Sequence, residues 1–558
     1  MKPHLPTNTF KRGYFFCRRL RRVGTARLLL LLSLSAVTTA GQAQFTFTTN
    51  SGKVTLTKYT GFGGAVTIPN WNLGMPVTTI GSQAFYGSAI TSVTIGTNVT
   101  SIADEAFQYC SSLTSIVIPN NVRNISWDAF ADCDKMTNAM IGTRVNILGG
   151  DAFSRCGTLT AIMVDPNNAT FSSVDGVLFD KNQSTLIKFP GGKAGNYAVS
   201  PNVTSIANGA FAISYKLLNV TIPDSVTGIG EQAFKSCTSL KSVTLGSNVI
   251  SIGAYAFEGC NKLTGITLPA TVAYIWDGAF YGCSLLTNIS IPTATDLIGG
   301  AAFNHCLSLS TITVETNNLS YRSQDGVLFN KDQSTLIQYP AGKAGSYSVP
   351  NAVTNIGAGA FAECSLLTEV TIGSRVGTIE SSAFSMCYAL AKVIFPGRLA
   401  SIGNGAFAWC YSLTNITIPK SVTMIGSGAF DSCIYLTEIY FQGDPPTADA
   451  TSFSGDTTAT AYYLPEAVGW TDPWQNLRSV LWNPQAQTTD AGFGVHTNQF
   501  GFNVTGTPNI PIVVEACVDL AEPSWTSLQS FVLTNGSIYF SDPGWTKYPV
   551  RFYRLRSP

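Results

Sequence analysis

The sequence predicts a mainly β repeat solenoid with two β-hairpin inserts and a small β-sandwich-like module at its C-terminal end. Three observations lead to this fold class: a 23-residue repeat, two matching interruptions of it, and a change of texture after the last copy. A fixed short period is the signature of stacked repeats, in which each unit contacts its neighbours. Because one coil cannot bury its apolar face alone, we expect the copies to form a continuous stack.

The repeat is clearest in SIGNGAFAWCYSLTNITIPKSVTM at 401–424. Its pattern I-G-x-x-A-F-x-x-C-x-x-L-T-x-I-x-I-P predicts a tight turn before the Ala-Phe pair and a short strand that ends at the proline. We expect the phenylalanines to form a buried aromatic column. They are Phe85, Phe107, Phe130, Phe153, Phe211, Phe234, Phe257, Phe280, Phe303, Phe361, Phe384, Phe407 and Phe430.

This pattern resembles the leucine-rich repeats of the BspA-like bacterial surface proteins. The resemblance covers roughly residues 77–441, where thirteen copies share one register. It implies a right-handed leucine-rich-repeat solenoid of parallel strands on a secreted or cell-surface protein. Some relatives are adhesins that bind host matrix proteins, so the resemblance implies non-catalytic binding or adhesion. No binding motif transfers residue by residue.

The N-terminus has the features of a secretory signal peptide. Residues 2–27 carry eight lysines or arginines and no acid, Leu28–Leu32 begins an apolar run, and small residues precede an expected cleavage near Ala43. The run is shorter than the roughly 20 residues of a membrane span. Without those eight bases the chain has 25 basic and 32 acidic residues, a net charge of −7. We therefore expect a secreted or cell-surface protein without a transmembrane segment or a nucleic-acid partner, which would favour a basic stripe.

Two inserts, at about 165–200 and 315–350, interrupt the period. They contain VDGVLFDKNQSTLIKFPGGKAGNYAV and QDGVLFNKDQSTLIQYPAGKAGSYSV, 150 residues apart, so the array contains a duplicated unit. Each predicts a β-hairpin that projects from the coil edge. Asp180 opens a D-x-N sequence with some calcium-loop character. The second copy has Asn330 there and neither has a distal glutamate, so we expect a turn.

The remaining segments flank the solenoid. The cap at 442–484 includes Phe453, which marks a degraded repeat, and Trp470, Trp474 and Trp482, which we expect to cover the last coil. Alternating strands in the final segment favour a small sandwich. The expected order is signal peptide 1–43, N-terminal β cap 44–76, solenoid 77–441, C-terminal cap 442–484, linker 485–490 and β-sandwich-like module 491–558.

No catalytic, cofactor or metal site is predicted, and we expect no enzyme. Eleven cysteines occupy one coil position without any C-x-x-C pair, and only His305 and His496 follow the signal peptide. The column is typical of buried thiols. Disulfides between neighbouring coils stay open as an alternative, since strands lie about 4.8 Å apart. No nucleophile elbow, phosphate loop or zinc-protease helix occurs.

Ligand-binding candidates are positions that the repeat does not dictate. Most strands have threonine on their outward side, whereas a few carry large apolar residues, and several turns carry aromatic residues suited to stacking. The first set is Val117, Met140, Met163, Ile394 and Tyr440, and the second is Tyr86, Tyr109, Tyr281 and Trp409. The expected partner is an extracellular protein or glycan, bound by a monomer. The alternatives are a structural or polysaccharide-associated envelope protein and, last, a secreted hydrolase.

Overall fold

The computed structural model describes residues 44–455 and 458–556, so the predicted signal peptide lies outside the described residues. Within these ranges the regular elements are β-strands, apart from a 3-10 helix at Trp545–Lys547. The prediction of a mainly β solenoid with parallel strands is confirmed. Each coil has three sides: a two-residue strand, a pair of tight turns and a longer strand. We name these sides the short-strand face, the turn face and the strand face.

The strand face is a series of parallel ladders in which apolar residues alternate with outward ones. Ile416 and Ile418 are buried and Asn415 is exposed in one such strand. Equivalent residues of successive coils pair side by side. The strands are Gly64–Thr67, Ile90–Thr94, Ser115–Val117, Asn138–Ile141, Ala161–Val164, Gly195–Ala198, Leu217–Thr221, Ser242–Thr244, Asn288–Ile291, Thr311–Val314, Gly345–Ser348, Leu367–Thr371, Lys392–Ile394, Asn415–Ile418, Glu438–Phe441, Thr460–Tyr463 and Arg478–Leu481.

The short-strand face carries one inward aliphatic residue per coil, isoleucine in nearly all of them. Its strands also pair in parallel, one coil apart. They are Ser101–Ile102, Asn124–Ile125, Ile147–Leu148, Ser205–Ile206, Gly228–Ile229, Ser251–Ile252, Tyr274–Ile275, Leu297–Ile298, Asn355–Ile356, Thr378–Ile379, Ser401–Ile402 and Met424–Ile425.

The turn face bends through two left-handed residues in most coils. Gly405 and Trp409 both have φ of +59°. A side chain in this region costs about 1–2 kcal/mol. Glycine avoids this cost in some coils, but most of the left-handed turn positions carry other residues. Neighbouring turns are linked by backbone hydrogen bonds, as from the Phe407 N–H to the Ala429 carbonyl at 2.7 Å. The turn face therefore continues the ladder without forming strands.

The predicted aromatic column is present and buried. The ring centroids of Phe234 and Phe257 are 5.1 Å apart, those of Phe257 and Phe280 are 5.3 Å apart, and the planes are nearly parallel. All three rings have no solvent exposure. Stacking one ring per coil fills the centre of the solenoid, so each phenylalanine packs against both neighbouring coils.

The cysteine column lies beside the rings as free, buried thiols. The Cys260 Sγ donates to the Phe234 carbonyl at 3.2 Å, and most other coils repeat this contact. Burial raises the pKa of Cys237 and Cys306 to about 12. Reactive cysteines need the opposite shift, so this column has a packing role.

The inserts continue the solenoid, so the prediction that their hairpins project is wrong. In the first insert the last strand pairs in parallel with Ser205–Ile206, and Phe189 enters the aromatic column 5.2 Å from Phe211. The Asp180 carboxylate accepts the Thr185 N–H at 2.7 Å, as a turn requires. The strands of the two inserts are Phe171–Val174, Val177–Asp180 and Thr185–Lys188, then Tyr321–Gln324, Val327–Asn330 and Thr335–Gln338.

The N-terminal segment has the same arrangement as the inserts. Phe45–Asn50 pairs antiparallel with Lys53–Tyr59, which pairs in parallel with Met75–Ile80. Tyr59 stacks 5.1 Å from Phe85, and Trp71–Asn72 adds a short antiparallel strand. The solenoid thus consists of three stacks with separate buried cores. Each stack begins with an antiparallel hairpin and a first coil that lacks the A-F-x-x-C pattern, which we name the starting coil.

Aromatic residues of segment 442–484 pack on the end of the aromatic column. Phe453 extends the aromatic column 5.2 Å beyond Phe430, and Trp470 and Trp474 pack against Phe441 at 4.8 and 5.1 Å. Trp482 contacts the C-terminal module instead, where its Nε1 donates to the Pro511 carbonyl at 2.9 Å.

The C-terminal module has two antiparallel sheets that enclose one apolar core. Tyr440 and Tyr462 of the solenoid belong to the same core, so the module is docked on the strand face. Residues 485–486, expected in a linker, pair with the module's sheet. One sheet contains Gln485–Ala486, Gly494–His496, Gln499–Thr505 and Ser537–Asp542, and the other contains Pro511–Cys517, Thr526–Val532 and Phe552–Arg556.

Candidate functional site

Three of the candidate residues form a continuous surface, which we name the apolar strip. Val117 pairs with Met140, and Met140 pairs with Met163, on three adjacent parallel strands. Their exposed fractions are 62, 40 and 47 %. The strand alternation that buries the neighbouring isoleucines turns these side chains outward. The sequence prediction of a contiguous apolar patch is therefore matched by the pairing register.

The nearest outward neighbours of the apolar strip on the same strands are uncharged. They are Ser115, Asn138 and Ala161. The Ile162 N–H donates to the Gly176 carbonyl at 2.8 Å, and the Val164 N–H to the Ser173 Oγ at 2.9 Å. The hairpin of the first insert thus ends the strip at one side but leaves it exposed. Such a surface can bind apolar side chains but has no group for acid–base chemistry.

Tyr440, a candidate for the same kind of contact, is not available to a ligand. It has 4 % exposure, stacks 5.1 Å from Tyr462 and donates its hydroxyl to Glu438 at 2.9 Å. Burial raises its pKa. The C-terminal module covers this outward position, so the expectation of an exposed tyrosine here is wrong.

Ile394 is exposed in a cleft beside the docked module. The cleft has a volume of about 550 Å³, and its walls include Ile394, Phe395, Thr417 and Arg556. Arg556 comes from the last strand of the module and donates to the buried Glu515 carboxylate at 2.6 Å. Ile394 is thus well separated along the strand face from the apolar strip.

The aromatic candidates lie on the turn face. Tyr86 and Tyr109 form an exposed edge-to-face pair with centroids 5.3 Å apart. Tyr281 is half-buried and stacks 5.6 Å from His305, whose Nδ1 contacts the Glu363 carboxylate. Burial raises the Tyr281 pKa, and the negative charge of Glu363 adds to this effect. Trp409 is half-buried in another coil, so the four aromatic residues do not form one platform.

Residues 44–455 and 458–556 include no cluster of three or more histidine, cysteine, aspartate or glutamate side chains placed to hold a metal ion. The same ranges contain no helix of the length and apolar character that crossing a bilayer requires. The candidate functional surfaces are therefore the apolar strip, the cleft at Ile394 and the turn-face aromatic residues.

Sequence reasoning missed two contacts that shape these surfaces. It gave His305 no partner, because Glu363 lies in another stack, 58 residues later. It also missed that the module docks on Tyr440 and Tyr462. Outward aromatic residues on neighbouring strands, followed by Trp482, are a signal that marks such a docking site.

These features define a leucine-rich-repeat solenoid, and the comparisons agree with that class. The chain matches the BspA type leucine rich repeat region in six copies, over residues 36–193, 204–325 and 340–460. The matched ranges cover more than half of the sequence. The chain therefore belongs to the BspA-type leucine-rich repeat family.

Solved structures with similar folds come from several bacteria. A leucine rich cell surface protein from Faecalibacterium prausnitzii is 28 % identical, with 78 % of this chain and 96 % of that chain covered and a TM-score of 0.40. A leucine-rich repeat protein from Bacteroides ovatus is 22 % identical, with 79 and 98 % covered and a TM-score of 0.35. The pneumococcal vaccine antigen PcpA is 17 % identical, with 79 and 96 % covered and a TM-score of 0.38. The curated proteins include no match.

Proposed function

We propose that this protein is a non-catalytic binding or adhesion protein, located at the cell surface or outside the cell, which docks a protein ligand on the apolar strip. The observation that carries the proposal is the register-aligned exposure of Val117, Met140 and Met163. Exposed apolar patches of this kind are typical of protein interaction sites. Membership of the BspA-type family and the signal-like N-terminal sequence support the location.

The duplicated unit has polar residues in place of this strip. The positions 150 residues later are Thr267, Ser290 and Thr313, and Ser290 pairs with Thr313 in the same register. Polar residues therefore satisfy these two strands as well as Met140 and Met163 do, whereas the segment around Thr267 forms no regular strand. The two outward methionines are thus unexplained by strand pairing and fit a ligand.

The test is a binding array of extracellular matrix proteins with the full chain. Met140→Glu places a charge in the middle of the strip. We expect this change to lower the affinity for the ligand identified on the array by at least about tenfold, or ~1.4 kcal/mol. Ser290→Glu is the matched control, because it adds the same charge at the equivalent outward position. Equal loss in both variants, or unchanged binding by Met140→Glu, contradicts the proposal.

A second candidate is a polysaccharide-associated envelope protein. The strand face of the second stack favours it, because its outward positions form an uncharged ladder. The Asn219 Nδ2 donates to the Asn196 Oδ1, and the Ser242 Oγ donates to the Asn219 Oδ1, both at 2.7 Å. Retention of the chain on insoluble polysaccharide, with no protein ligand found on the array, would favour this alternative.

A further inference from the structure

The turn face is interrupted where the first stack meets the second. The starting coil of the second stack replaces the Ala-Phe turns by Lys188-Phe189-Pro190. The turns on either side face one another across a gap of about 230 Å³, which we name the junction notch. Its walls include Trp127, Asp151, Asn208, Gly209, Glu231 and Gln232. None of these residues belongs to the apolar strip or to the candidate set from the sequence.

A buried lysine organises the floor of the junction notch. The Lys188 Nζ donates to the Gly209 carbonyl at 2.9 Å and to the Ser154 Oγ at 3.3 Å. The Ser154 hydroxyl in turn donates to Asp151 Oδ1 at 2.7 Å. Gly209, with φ of +61°, has no side chain, and a Cβ there would lie 3.7 Å from Asp151 Oδ1. The Asp151 carboxylate is therefore held at the notch, beside the turn at Gly209.

Trp127 forms an aromatic wall of the junction notch. Its side chain is 61 % exposed. The indole lies close to the backbone at Gly150, where a Cβ would be 3.4 Å from the ring. On the far side Glu231 is exposed, and its N–H donates to Asn208 Oδ1 at 2.9 Å, which fixes the asparagine amide. The notch thus combines one exposed indole with two carboxylates and side-chain amides.

The duplicated unit carries the same backbone without this chemistry. Gly209 and Gly359 have φ of +61° and +63° and begin equivalent turns. The positions of Trp127, Asp151, Lys188, Asn208 and Glu231 are taken by Asp277, Ala301, Gln338, Ala358 and Ser381. Both junctions form equivalent turns, so the backbone there does not require the Trp127 and Glu231 side chains.

We propose that the junction notch binds one pyranose ring of a neutral glycan. The apolar C–H face of such a ring packs on the Trp127 indole, as aromatic faces pack on other apolar groups. Adjacent hydroxyls donate to the Asp151 and Glu231 carboxylates, which gives short charge-assisted hydrogen bonds. The same carboxylates repel uronic and sialic acids. The site lies on the turn face, so it does not depend on a protein ligand at the apolar strip.

Saturation-transfer NMR on the full chain tests this proposal. The probes are the methyl glycosides of glucose, galactose, mannose and N-acetylglucosamine, with glucuronic acid as the charged comparison. One ring supports roughly millimolar affinity, so titrations extend to about 50 mM. We expect at least one neutral sugar to bind and glucuronic acid to give no signal.

Matched variants decide where the sugar binds. Trp127→Ala and Glu231→Gln are expected to weaken binding by at least about tenfold. Trp276→Ala, which removes a 45 % exposed tryptophan outside the notch, keeps full binding. Met140→Glu also keeps it, which separates this site from the proposed protein-docking function. Absence of binding by every neutral sugar, equal binding of glucuronic acid, or equal loss in the Trp276 variant overturns the proposal.

Discussion

Replacing Ser214 by cysteine is expected to stabilise the second stack. Ser214 occupies the cysteine position of its coil, is fully buried, and its Oγ has no hydrogen-bond partner. The equivalent residue 150 positions later is Cys364, whose Sγ lies 3.8 Å from the Tyr339 carbonyl oxygen. A buried hydroxyl without a partner costs about 1–3 kcal/mol, whereas a thiol behaves as a small apolar group. We therefore expect Ser214→Cys to raise the free energy of unfolding by about 1–2 kcal/mol.

Hydrogen exchange under reducing conditions is the suitable assay. A repeat array does not unfold in one step, so a single unfolding midpoint would mix the three stacks. Amide protection at 205–222 reports the affected coil directly, and protection of the third stack serves as an internal reference. The converse change, Cys364→Ser, should lower protection around its own coil. Unchanged or reduced protection in Ser214→Cys, together with no effect of Cys364→Ser, would refute the reasoning.

Three further changes test other parts of the structure. Burial lowers the pKa of Lys188 from its ordinary 10.5, so the wild type should lose stability relative to Lys188→Gln as pH falls from 10.5 toward the lowered value. The measurement is the one transition of the urea unfolding curve that Lys188→Gln shifts, since the whole curve combines the three stacks. Burial of Glu515 raises its pKa, but hydrogen bonds from Arg556 and Arg554 outweigh this and lower it. The two arginine–Glu515 contacts should therefore stop stabilising the C-terminal module as pH falls through that lowered pKa. Near-ultraviolet circular dichroism should show this acid transition in the wild type and not in Glu515→Gln. Phe257→Ala should reduce local stability by about 3–5 kcal/mol in hydrogen exchange, whereas Thr267→Ala on the surface should change it by less than about 0.5.

The repeat itself could be predicted because its letters record contacts between coils. The Phe407 ring, the Cys410 thiol and the Ile416 side chain recur since each packs against the same atoms one coil away. The starting coils were missed because they lack the A-F-x-x-C pattern. The sequence signal of a starting coil is an aromatic residue directly after the third strand of the insert. This residue is Phe189 in the first insert and Tyr339 in the second, and it takes the place of the repeat phenylalanine in the aromatic column.

The surfaces were less predictable, because they depend on contacts between distant parts of the chain. The alignment of Val117 with Met140 follows from the period and was visible in the sequence. The burial of Tyr440 needs the docked module; the outward aromatic residues and Trp482 mark a docking site but do not identify the segment that covers it. The junction notch brings Trp127 and Glu231 together across an insert, so their sequence separation gave no indication that they share one site.

The N-terminal end of the solenoid limits how copies of the chain can associate on the short-strand face. Phe45–Asn50 runs opposite to the coil strands there and has an irregular register between Thr46 and Phe47. On the strand face, among the described residues, Gly64–Thr67 pairs with Ile90–Thr94 alone, and at the other end Val480 packs against the core of the module. On the short-strand face a second molecule therefore meets an edge that runs against the direction of a coil. Head-to-tail growth into fibres, the hazard of any protein built from identical turns, is hindered on that face.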